Sequence, residues 1–160
     1  MENLISDYKK KYLRISDTFW YKYSDCKYID DELIYQTPQV VWHYGVKGLS
    51  KTLSADFITQ NPNKKWFWGS EGISSNPNIT IDFIYENLDK LDFGCNGLSC
   101  NPVINTDFVR DNIHLDWDFS EFGLSINPNI DKGFIEEFKD RKWAYGEHGL
   151  SSNINICNLI

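Results

Sequence analysis

At 160 residues the chain is long enough for one domain, or one short array, with a sizeable buried core. Aromatic residues make up 16% of it, so large rings as well as aliphatic side chains must fill the interior. A net charge of −7 argues against nucleic acid, which needs a concentrated Lys/Arg surface, and no window approaches the ~18 uninterrupted apolar residues of a membrane span.

In chain order, residues 2 to 15 place Leu4, Ile5, Tyr8, Tyr12 and Ile15 at helical spacing, with Lys9, Lys10 and Lys11 on the other side. This predicts an amphipathic helix with a solvated basic face, suited to cap one end of an array. Residues 16 to 28 are aromatic and polar without clear period and read as a degenerate copy of the repeat arm that first appears in full at Trp42. Residues 1–39 are therefore taken as an N-terminal cap and degenerate repeat, and 40–160 as a tandem array forming one continuous domain.

From Trp42 onward five similar segments can be overlaid: WHYGVKGLS from Trp42, WFWGSEGIS from Trp66, LDFGCNGLS from Leu91, WDFSEFGLS from Trp117 and WAYGEHGLS from Trp143. Their starts are 24, 25, 26 and 26 residues apart by subtraction, a period that marks a solenoid or similar array. A leucine-rich repeat would need apolar residues two before Ile73, Leu98 and Leu150, where Glu71, Asn96 and His148 stand instead.

Between these arms a second pattern recurs. Asp30, Ser54, Thr80, Asn105 and Asp131 are favoured N-cap residues, each preceded by Ile or Leu and followed four residues later by Ile or Val. Apolar residues then continue at helical spacing, as in Phe83, Ile84 and Leu88, which predicts a capped and stapled helix of two to three turns in each copy. Such a helix is marginal alone and must pack on its neighbours. The last copy ends too soon for a full helix.

The arm is less decisive. The aromatic residue two after each arm start (Tyr44, Trp68, Phe93, Phe119, Tyr145) fits a short strand, yet the Trp-to-Leu spacing fits two helical turns. Gly48, Gly72, Gly97, Gly123 and Gly149 suggest a positive φ that interrupts either element. The fold class expected is mainly α, a solenoid-like array of short capped helices joined by irregular aromatic arms, with α+β and one very short strand per copy as the alternative. Asn76-Pro77, Asn101-Pro102 and Asn127-Pro128 are extended linkers whose asparagines, with Asn153, are placed to stack and satisfy backbone groups at the turn.

No residue set points to catalysis. Asp56, Asp82 and Asp107 fall two residues after an N-cap, where a negative charge suits the helix dipole. Ser50, Ser74, Ser99, Ser125 and Ser151 occur once per copy, the mark of structural bonding to nearby backbone and not of a unique nucleophile. The tryptophans read as packing between copies. Cys95, Cys100 and His114 match no zinc spacing, so no metal, cofactor or catalytic residue is assigned. Four cysteines, irregularly placed and without a secretory signal peptide, predict a reduced intracellular protein.

The pattern W-x-(aromatic)-G-x-x-G-L-S-x-N-P-x-I-T-x-x-F-I resembles the tandem repeats of uncharacterised proteins from giant DNA viruses of amoebae, mimivirus and marseillevirus relatives among them. The resemblance spans about residues 40 to 156 and is strongest in the copies beginning at Trp66 and Trp117. It implies a viral origin and a place in the host cytoplasm or viral factory, and it brings no activity or site residues with it. The expected role is a non-enzymatic scaffold binding another protein, a host or viral factor. Its contact positions are the ones that do not recur: Lys47, Glu71, Asn96, Phe122 and His148. The alternative is a structural virion component that self-associates through Ile154, Ile156, Leu159 and Ile160 near the C-terminal end.

Overall fold

The computed structural model describes residues 29–157, with the Cys157 side chain excepted. The expected capping helix, the stretch 16–28 with Cys26, and Leu159 and Ile160 lie outside the described residues. Among those described there is no strand, so the short-strand alternative for the arm does not hold. Helices α1 (Asp31–Gln36), α2 (Ala55–Gln60), α3 (Ile81–Glu86), α4 (Thr106–Asp111), α5 (Lys132–Glu137) and α6 (Ile154–Cys157) alternate with single 3-10 turns. These turns are η1 (Leu49–Lys51), η2 (Ile73–Ser75), η3 (Leu98–Cys100), η4 (Leu124–Ile126) and η5 (Leu150–Ser152).

Each of the first five helices starts where its cap residue dictates. Asp30, Ser54, Thr80, Asn105 and Asp131 sit in extended backbone, and each side-chain oxygen accepts from the N–H three residues on, at 2.8 to 3.1 Å. The apolar residue before each cap is buried, and so are Ile34, Ile58, Ile84 and Val109 four residues after. Ile135 is partly buried against the same core.

The helices are shorter than the periodicity suggests. Six residues make about 1.7 turns. Asn61, Asn87 and Asn112 stop three of them, each donating its side-chain amide to the carbonyl four residues back at 2.9 Å. Leu88 and Ile113 therefore lie beyond the helix ends, although both still pack on the core. α6, Ile154–Cys157, reaches the last of the described residues.

The arm is extended chain leading into a turn and then a 3-10 turn. Its closure is the same in all five copies: the N–H of Leu49, Ile73, Leu98, Leu124 or Leu150 donates to the carbonyl six residues earlier at 2.7 to 2.9 Å. The glycines just before them do not have positive φ; their values run from −99° to −152°. What demands glycine is close approach. A Cβ at Gly72 would fall on the Phe67 carbonyl oxygen, and one at Gly123 on that of Asp118.

Three side-chain devices join successive copies. Asn101 donates to the carbonyls of Ser74 and Asn76 at 3.0 Å each, while its own Oδ1 accepts from the Val103 N–H at 3.0 Å. Asn76, Asn127 and Asn153 do the same in their own copies, and all four are at most 1% exposed. The serine hydroxyls go further than the turn bonding expected of them. Ser99 donates to the Phe93 carbonyl in its own arm and also accepts from the Asp118 N–H of the next arm at 2.9 Å. Ser50, Ser74 and Ser125 likewise link to Phe67, Asp92 and Ala144.

The tryptophans complete the joints. The indole N–H of Trp66, Trp117 and Trp143 donates at 2.9 Å to the carbonyl five residues back, where the preceding helix ends. Each ring meets the previous arm's aromatic edge-on, Tyr44 with Trp66, Phe93 with Trp117 and Phe119 with Trp143, at 5.0 to 5.1 Å. Edge-to-face pairs add about 0.5–1.5 kcal/mol each beyond area burial.

Candidate interaction surface

The turn between each arm's extended start and its 3-10 turn carries one residue immediately before the buried glycine. These residues are Lys47, Glu71, Asn96, Phe122 and His148, and all five are exposed. The positive φ sought at the glycines occurs here instead: Lys47 at 54°, Asn96 at 56° and Phe122 at 58°. Left-handed backbone is costly for a side chain as large as phenylalanine and must be held by its surroundings.

Backbone bonds hold it. The Lys47 N–H donates to the Glu71 carbonyl at 3.0 Å, Asn96 to Phe122 at 2.8 Å and Phe122 to His148 at 3.2 Å. Every positive-φ tip thus reaches the tip of the next copy, and the contact positions singled out by non-recurrence fall along one line of turn tips. The line has one gap among the described residues. Glu71 lacks the positive φ, and no such bond runs from it to Asn96.

Phe122 is 36% exposed, less than a free surface ring, because one face stacks on His148 with centroids 4.8 Å apart and planes 24° apart. His148 Nε2 also lies 3.2 Å from a Glu147 carboxylate oxygen. The end of the ridge nearest the C-terminus is therefore a stacked aromatic pair beside an acid. In the arms that carry Asn96 and Phe122, Asp92 and Asp118 brace the chain by accepting from the N–H two residues on at 2.8 Å.

Cys95 is exposed, and Cys100 is half-buried with its Sγ donating to the Gly97 carbonyl at 3.5 Å. Burial pushes the Cys100 thiol above its ordinary value, which keeps it protonated and poorly nucleophilic at neutral pH. Among the described residues no three His, Cys, Asp or Glu side chains gather as metal ligands would, and no helix is long and apolar enough to cross a membrane. Asp56, Asp82 and Asp107 are exposed at helix starts, where Asp107 pairs with Arg110 at 2.8 Å.

No family model matches the chain, and no curated protein or solved structure matches it. The features that sequence reading missed lie away from the ridge. Arg110 bridges Asp107 and Glu137 across two helices, and the cations Lys64, Lys90 and Arg141 lie 4.8 to 5.0 Å over the rings of Tyr44, Trp68 and Phe119. Each of these cations stands one or two residues before an arm start, a signal visible once the arms are aligned.

Proposed function

We propose that the chain is a solenoid-like, non-enzymatic scaffold that binds another protein through the ridge of turn tips, in the setting of giant-virus infection that its repeat pattern suggests. The observation that carries this reading is the ridge itself. Five exposed side chains, chemically different from one another, stand on a backbone whose packing residues recur, which is the division of labour expected of a recognition surface on an array. Phe122 is its aromatic anchor. Phe122→Ala, which keeps the backbone and removes the ring, should weaken capture of the partner by about 30-fold or more in a quantitative pull-down, as loss of a central anchor does. Unchanged capture at matched thermal stability would rule the ridge out.

A second reading, self-assembly, draws on one contrast. Phe119 is 7% exposed beneath the following Trp143, whereas Tyr145, at the same place in the last copy, is 70% exposed, and Ile154 further on is 62% exposed. On this reading, light scattering over a concentration series shows a rising mass; a constant monomer mass at high concentration sinks it.

A further inference from the structure

Among the described residues, three ties recur at the joints between the five arms, and one joint lacks all three. The first is the backbone bond between turn tips, which Lys47 makes to Glu71, Asn96 to Phe122 and Phe122 to His148. The second is the arm's leading tryptophan, which meets the previous arm's aromatic edge-on at Trp66, Trp117 and Trp143. The third is the asparagine two residues after a buried linker asparagine. Asn78 donates its amide to the Thr52 carbonyl at 2.6 Å, Asn129 to that of Pro102 at 2.6 Å, and Asn155 to that of Pro128.

Between the copy that begins at Trp66 and the one that begins at Leu91, none of these ties is made. Glu71, without the positive φ of the donating tips, sends no N–H bond to Asn96. Leu91 has no ring to set against Trp68, which lies flat on Phe83 of its own copy, 6.0 Å away with planes 5° apart. Val103 shares the local backbone of Asn78 and Asn129, since the N–H of all three donates to the linker asparagine at 2.8 to 3.0 Å. Its side chain, however, has no amide to give the Pro77 carbonyl. What still spans the joint is Asn101 on the carbonyls of Ser74 and Asn76, the Asp92 N–H on Ser74 Oγ, Tyr85 against Phe108, and an apolar core that runs on through Ile84, Leu91 and Leu98. A hollow lies one joint earlier, between α2 and α3, walled by Ile58 and Thr59 on one side and Trp68 and Phe83 on the other, but that joint keeps all three ties.

We infer that this joint is a hinge, at which the array bends while its core stays whole. In an array each copy is held by its neighbours, so the joint with the fewest ties has the lowest opening free energy. The bend falls inside the ridge and divides it into a segment of Lys47 and Glu71 and a segment of Asn96, Phe122 and His148. The two segments change their relative angle with the buried Asn101 clasp as the pivot. The hinge is a property of the array and does not depend on the ridge binding a partner.

Four equivalent amides report on the four joints, because Phe67, Asp92, Asp118 and Ala144 each donate a backbone N–H to the serine hydroxyl of the previous arm at 2.8 to 3.0 Å. Native-state hydrogen exchange of the full chain, corrected for intrinsic rates, should show Asp92 exchanging about 10-fold or more faster than Phe67 and Asp118. Val103→Asn supplies the missing amide on a backbone already shaped for it and should slow Asp92 by about 3-fold or more. Asn129→Val, the reverse change one joint on, should speed Asp118 by a similar factor. The double variant Trp68→Phe, Leu91→Trp gives this joint the ring pair that Phe93 and Trp117 form at the next, and is a second repair with the same expectation as Val103→Asn. Equal protection of Asp92, Phe67 and Asp118 overturns the inference, and so does fast exchange at Asp92 that neither repair slows.

Discussion

A methyl group added at Gly123 has nowhere to go, because its carbon would land on the Asp118 carbonyl oxygen whose lone pair already holds the Leu124 N–H at 2.7 Å. Gly123→Ala should therefore open the arm closure and cost about 2–4 kcal/mol in urea denaturation. Gly146→Ala is the control, since a Cβ there meets nothing within 4 Å, and its effect should be within about 1 kcal/mol of zero. At this scale the sequence marks the position and conceals the reason. A glycine in every copy signals a special backbone, but a positive φ and a close approach leave the same trace. The positive φ belongs to the preceding residue, where Lys, Asn and Phe show no common type. Nothing in the side chain of Phe122 announces a left-handed backbone, because the N–H bond to His148 imposes it from the next copy.

A helix of six residues survives because both ends are tied and one face is buried. Its start was legible because an N-cap bond spans three residues and needs only local sequence, so Asp30, Ser54, Thr80, Asn105 and Asp131 disclose it directly. Its end was not, because Leu88 and Ile113 keep helical spacing after the helix has stopped and still reach the core. The linker before each helix shows the opposite balance, with most of its bonding made at long range. Asn127 satisfies the carbonyls of Ser99 and Asn101 and the N–H of Asn129 from a fully buried position. Asn127→Leu fills the same volume and strands three backbone groups, so it should cost about 3 kcal/mol or more by thermal or chemical denaturation. A loss under about 1 kcal/mol would mean that water replaces the amide there.

Across the whole molecule, the recurring residues were readable as scaffold because each occurs once per copy, and the ridge was readable as their complement. The hollow between α2 and α3 was not, because its walls, Ile58 and Thr59 on one side and Trp68 and Phe83 on the other, come from different copies. The side-chain joints carry a further consequence. Asn101 donates to the copy before it, and Ser99 accepts from the copy after it, so in both devices the later copy gives hydrogens and the earlier one receives them. The same sense holds for Asn76, Asn127 and Asn153 and for Ser50, Ser74 and Ser125. The molecule therefore has a chemical polarity along its length, and two identical faces cannot satisfy each other through these bonds. Association that extends them must run head to tail, a heterologous contact that builds a ring or an open series, and would appear in light scattering as species other than a discrete twofold dimer.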